Sequence, residues 1–180
     1  PAGGDLKVGM PGRHGGVAAH QQVAPSRVIL NDMDSTNGIF VLQRDRIRLH
    51  DRDTFIVSQQ HFQFRDRWDP SSTASHATIP SGTPDYDTSE RLHLIREGGH
   101  IVGVYLLDKS LVIGREGADL NFPADPTMQR EHAVVRRSPN HCTLTDLSQR
   151  GIFIRRRGTI ILEPGQKFQI GRTRFRLTSS

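Results

Sequence analysis

Two arginines beside a histidine carry the clearest chemistry in this chain. Arg115 follows Ile113-Gly114 at the end of an apolar run, and Arg130 stands two residues before His132. A guanidinium is a permanent cation with a rigid fork of donors, so two of them at one rim of a folded unit make an anion site. Both are expected to point to the same end.

Other chemistries find no constellation. The chain has no G-x-S-x-G, H-E-x-x-H, Walker or G-x-G-x-x-G signature, so no enzyme class is indicated. Nine histidines are scattered without ligand spacing, and His14 and His20 lie in a glycine-rich stretch that reads as solvated. No metal or cofactor is expected. The neighbours His141-Cys142 would point to opposite faces of a strand, which argues against a catalytic pair and for Cys142 as packing.

The positions that must hold these residues alternate rather than follow a helical period. Short runs such as Leu92 to Ile95, Val102 to Leu107, Ser110 to Ile113, Ala133 to Val135 and Cys142 to Thr145 read as strands. Turn signals separate them: Asn37-Gly38, Gly98-Gly99, Ser138-Pro139-Asn140 and Pro164-Gly165. The expected class is all-β, an antiparallel sandwich, with no helix longer than a turn or two.

The chain also repeats itself. Gly38-Ile39-Phe40-Val41 returns as Gly151-Ile152-Phe153-Ile154, an offset of 151 − 38 = 113. Phe55, Val57, Phe62 and Phe64 fall at the same offset on Phe168, Ile170, Phe175 and Leu177, while Val28 and Leu30 match Cys142 and Leu144 at 142 − 28 = 114. Apolar positions persist amid drifting neighbours, as core positions do. Two modules are expected, 1–68 and 91–180, joined by a Pro/Ser/Thr-rich linker over 69–90 that is too polar to fold alone. Thr73, Thr78, Thr83 and Thr88 in that linker are phosphorylation candidates, Thr83-Pro84 the foremost.

Composition bounds the partners. A net charge of +5 makes anionic partners plausible, with Arg136-Arg137, Arg155-Arg156-Arg157 and Arg172/Arg174/Arg176 as its main sources. Alternating arginines on a strand are first of all its solvated face. With 6% aromatic residues and neither a stacking platform nor a recognition helix, nucleic acid is disfavoured. The longest apolar run, Ile101 to Leu107, is far short of the ~20 residues of a membrane span. A single cysteine favours a reducing, cytoplasmic compartment.

In the second repeat the order is Ile113-Gly114-Arg115, Ala118-Asp119-Leu120, Gln129-Arg130-Glu131-His132-Ala133, Leu144-Thr145-Asp146-Leu147-Ser148 and Gly151-Ile152-Phe153. This succession resembles the forkhead-associated (FHA) domain, whose pattern is GR, ND(I/L), SRxHA, DLxSTNG. The resemblance covers residues 92 to 177 and, more loosely, about 3 to 65. It implies a β-sandwich whose loops bind a phosphothreonine peptide: the GR arginine and SRxH serine hold phosphate, the histidine braces the loop, and the STNG asparagine holds peptide backbone.

Carried over, the phosphopeptide-binding candidates of the second repeat are Arg115, Gln129, Arg130, Ser148 and Arg150, with His132 and Gly151 bracing the loops. Gln129 stands where serine is expected and Arg150 where asparagine is, in a loop one residue shorter. The first repeat keeps Asp32-Met33-Asp34-Ser35-Thr36-Asn37-Gly38, so Ser35, Thr36, Asn37 and Gly38 form its rim with His20, which lacks the Ser-Arg before it. The counterpart of Arg115 falls at 115 − 114 = 1, which is Pro1, so the first two strands of that repeat are expected upstream or from a partner. Partners are expected to be proteins, either phosphothreonine-bearing or the other subunits of an assembly in which both folds dock without phosphate.

Overall fold

The computed structural model describes residues 6–8, 17–20, 27–33, 35–66 and 89–178. Most of the expected linker, with its four threonines, lies outside the described residues. The strands are β1 (Leu6–Val8), β2 (Val17–His20), β3 (Val28–Asp32), β4 (Ile39–Gln43), β5 (Ile47–Leu49), β6 (Thr54–Val57), β7 (Gln60–Arg65), β8 (Arg91–Ile95) and β9 (Ile101–Leu106). They continue with β10 (Ser110–Gly114), β11 (Leu120–Asn121), β12 (Ala133–Ser138), β13 (His141–Asp146), β14 (Ile152–Arg156), β15 (Thr159–Leu162), β16 (Lys167–Ile170) and β17 (Thr173–Arg176). The only helical element among the described residues is one 3-10 turn, Glu97–Gly99. Among the described residues no helix is long and apolar enough to cross a membrane.

The chain forms two compact units. One comprises Pro1–Leu42 with Phe153–Ser180, the other Gln43–Ile152. Each therefore draws on both sequence repeats, a different division from the 1–68 and 91–180 read off the repeat.

In the first unit β1-β2-β3-β15 form one sheet and β17-β16-β4-β14 run in order in the other. The paired registers β1–β2, β2–β3, β3–β15, β4–β16 and β16–β17 are all antiparallel. Alternation sends Leu30, Ile39, Val41, Ile160, Leu162 and Ile170 into one buried cluster, with Val28, Phe168, Phe175 and Leu177 packed partly buried against it. Phe168 and Phe175, expected in the core, are only half-buried; they stack on each other at 5.1 Å across the β16–β17 hairpin. β17 closes its sheet as an edge strand, where one neighbour is lacking and burial is shallow.

In the second unit β11-β10-β12-β13-β5 form one sheet and β6-β7-β8-β9 run in order in the other. β10 and β11 pair in parallel, with Ile113 and Gly114 beside Leu120 and Asn121. Phe55 and Phe62 are fully buried and stacked at 5.6 Å, and Phe122 meets Phe62 edge-on at 5.9 Å. Cys142 is buried beside Leu49, while its repeat counterpart Val28 is partly buried, and burial raises the Cys142 thiol pKa to about 11. It is a packing residue.

The two ladders that mix the repeats are counterparts. In the second unit Cys142 faces Leu49 and Leu144 faces Ile47. In the first, Val28 faces Leu162 and Leu30 faces Ile160. Under the 113 and 114 offsets these are the same pairs in the same register, each made with the other repeat's strand.

Candidate functional site

The loops carrying Arg115, Gln129, Arg130, His132, Ser148 and Arg150 all belong to the second unit and are tied to one another by main-chain bonds. Beyond β10, the Arg115 N–H donates to the Gln129 carbonyl at 2.8 Å and the His132 N–H to Ile113 at 2.8 Å. This brings the segment before β12 against the end of β10. It also explains Gly114: a Cβ there would collide with the Arg130 carbonyl oxygen. The glycine of the Gly-Arg pair is a matter of space, not of turn geometry.

His132 is the bolt of the site. It is buried, and its Nδ1 accepts from the Gln129 N–H at 3.1 Å. Its carbonyl accepts from the N–H groups of Leu147 and Ser148 at 2.9 and 3.2 Å. One residue thereby fastens two loops. Burial holds its pKa below the ordinary histidine value, against the opposing charges of Asp146 and Asp125, and the Arg150 charge adds to the lowering. A neutral ring suits an Nδ1 that accepts.

The loop after β13 is built on Asp146. Its Oδ1 accepts from the Ser148 N–H at 2.9 Å and from Ser148 Oγ at 2.6 Å, and its Oδ2 from the Gly151 N–H at 2.7 Å. Ser148 Oγ accepts in turn from the Arg150 N–H at 3.1 Å. Gly151 has φ +87°, which the tight return needs, and Gln149 takes φ +60° beside it. Ser148 is thus occupied in holding its own loop.

Gln129 and Arg150 find each other. With its amide oxygen turned toward the guanidinium, Gln129 accepts from Arg150 Nε and Nη2, both at 3.1 Å. Arg115 and Arg130 are exposed, and Arg130 Nε and Nη2 lie 3.8 Å from where a Cβ on Gly117 would stand. The Arg130 guanidinium therefore lies against the 115–119 loop, next to Arg115 in the chain. That loop is pinned by Asp119, which accepts from the Val112 N–H at 2.8 Å, and by Asn121, which exchanges two bonds with Ala118.

Sequence reading overlooked Asp125. Its carboxylate accepts from Ser58 Oγ, the Gln59 N–H, Gln60 Nε2 and the Thr127 N–H and hydroxyl, at 2.9 to 3.1 Å. Burial alone would raise its pKa, but the bonds from Gln60, Ser58 and Thr127 outweigh this and hold it below the usual value. It anchors the β6–β7 turn to the segment before β12. Asp125-Pro126-Thr127 carries only a local turn signal, and nothing in the sequence marks partners 65 to 67 residues away.

The first repeat's rim residues lie in the other unit. Ser35 is half-buried, Thr36 and Asn37 are exposed, and Gly38 is buried at φ +72°. His20 sits in β2, paired with Ile29. Among the described residues no group of three metal-ligating side chains occurs.

The family model described as FHA domain matches residues 111–171. The matched segment holds the Arg115, Arg130–His132 and Asp146–Gly151 loops and runs from the second unit into the first. No curated protein and no solved structure matches the chain. The FHA domain is a protein–protein interaction module.

Proposed function

We propose that the chain is a tandem FHA interaction protein whose two modules exchange their C-terminal strands. The rim of Arg115, Gln129, Arg130, Ser148 and Arg150 is its phosphothreonine-peptide reader. The observation that carries this is the locked pair of loops: main-chain bonds through Gln129 and His132 hold two exposed arginines, 115 and 130, at one end of β10. A phosphate monoester bears nearly two charges and strong acceptor oxygens, so preset guanidinium forks favour it over neutral side chains.

A second reading has its own observation. The positions at which the family places serine and asparagine, Gln129 and Arg150, are bonded to each other, which leaves fewer donors for a phosphate and favours constitutive, phosphate-independent docking in an assembly. A phosphothreonine peptide library, read by fluorescence anisotropy, separates the two. The reader yields a ligand near micromolar, about −8 kcal/mol, lost in Arg115→Ala with an unchanged melt. No phosphopeptide ligand, together with a partner released by Arg115→Ala, establishes the docking subunit.

A further inference from the structure

The first unit holds a cavity of about 230 Å3 lined by Asp32, Ser35, Arg155, Arg157 and Gly158. Each of these described residues is polar or glycine. The volume is below the ~300–1,000 Å3 of a site for a drug-sized ligand, so it admits a side-chain head group rather than a whole cofactor.

The loop of Asp32 and Ser35 is already satisfied. Asp32 Oδ1 accepts from the Ser35 N–H at 3.0 Å and from Ser35 Oγ at 2.6 Å, and Ser35 Oγ accepts from the Gly38 N–H at 3.0 Å. The corner after β14 is joined to it, since the Asp32 N–H donates to the Gly158 carbonyl at 3.2 Å. The arginines are not satisfied to the same degree. Arg155 donates Nη2 to the Ser35 carbonyl at 3.0 Å, but its buried Nε has no partner among the described residues. Its guanidinium fills the space that a Cβ on residue 38 would take, so any larger residue there must displace it. Arg157 is exposed and pairs with no carboxylate among the described residues.

Two guanidinium groups face one carboxylate whose oxygen already receives two bonds. Burial, then the charge of Arg157, keep the Arg155 pKa below its ordinary value, with Asp32 opposing. A group with acceptor oxygens and negative charge would complement these two cations.

We propose that the cavity between the Asp32–Gly38 loop and Arg155/Arg157 binds the oxyanion end of an acidic peptide, a carboxylate or phosphoryl group gripped by the exposed Arg157, with the Arg155 charge behind it. It is a second pocket, independent of Arg115 and Arg130, and it needs no reading of that rim.

The test is a titration of the full chain followed by amide and arginine Nε–H NMR. The probes are an Asp/Glu-rich peptide, the same peptide with one phosphothreonine, and inorganic phosphate. Shifts at Ser35, Gly158 and Arg155, with affinity reduced at least tenfold in Arg157→Gln and unchanged in Arg115→Ala, are the expected result. If the unphosphorylated peptide gives them, the source is a carboxylate; if only the phosphorylated peptide or phosphate does, it is a phosphoryl group. Arg157 is exposed, so its variant should melt as the wild type does. Two results overturn the proposal: no probe moves these resonances, or binding survives Arg157→Gln and disappears in Arg115→Ala.

Discussion

The Asp32–Gly38 and Asp146–Gly151 loops solve one problem with different spacing. In each, an aspartate at the end of a strand accepts from the N–H and hydroxyl of a serine, and a buried glycine with positive φ returns the chain to the next strand. In the first the serine is three residues on, and its hydroxyl receives the Gly38 N–H. In the second it is two residues on, and the aspartate itself takes the Gly151 N–H. Shortening the loop by one residue moves a bond from serine to aspartate and leaves the turn closed. What differs in consequence is the filling. A guanidinium from β14 lies against Gly38, whereas the second loop is roofed by Arg150 and Gln129 bonded to each other. Loop scaffold and loop chemistry are separable.

The largest effects should come from the strands beneath. Leu144→Ala and Leu30→Ala remove counterpart core side chains, fully and nearly fully buried, and each should cost about 2–5 kcal/mol in urea unfolding. A loss under about 1 kcal/mol at either would break their equivalence. The aspartates come next. Asp146→Ala strips the acceptor from three donors and should destabilise by about 3 kcal/mol, Asp32→Ala, with two, by about 2 kcal/mol, partial exposure reducing both. The reverse order would show that the bond transferred to Ser35 outweighs the one kept by Asp146.

Acid should act on the second unit. His132 and His93 both have pKa values held below 6.5, His93 at about 4 by burial and then by Arg91 and Arg65. Among the described residues neither ring nitrogen of His93 finds a hydrogen-bond partner. A lowered histidine pKa means that the unfolded chain binds more protons, so its stability is intact above pH 6.5. The His93 share is lost as pH falls toward 4, at up to about 1.4 kcal/mol per pH unit, and His132 adds a loss of the same sign. Between pH 6.5 and 5 a loss of about 2 kcal/mol is expected, clearly smaller in His93→Leu. Equal slopes in the two proteins would remove His93 from this account. The smallest effect is at the glycines: Gly151→Ala should cost about 1 kcal/mol for its φ. Gly38→Ala should cost more, since its methyl also displaces Arg155. Thermal melts that rank them the other way would mean that the Arg155 contact yields easily.

Much of this architecture was legible. Alternation placed Phe55, Phe62, Cys142 and Leu144 in the core, and the turn pairs fell where the strands reverse. The Gly-Arg and Arg-x-His spacing brought Arg115, Arg130 and His132 to one set of loops. The bond between Gln129 and Arg150 was not legible, because two polar residues 21 apart in a chain carry no sign that they meet. Nor was the cavity at Arg155, whose loop lies 120 residues away.

The sequence by itself determined strand positions, inward faces and closing turns, because these rest on local period and on residues that tolerate positive φ. It could not determine which strand joins which. Leu49 and Leu162, and Ile47 and Ile160, are the same residues at counterpart positions, so a ladder against Cys142 and Leu144 or against Val28 and Leu30 is chemically almost the same with either partner. When two pairings are locally equivalent, only the path of the whole chain separates them. That path is what gave each compact unit strands from both repeats.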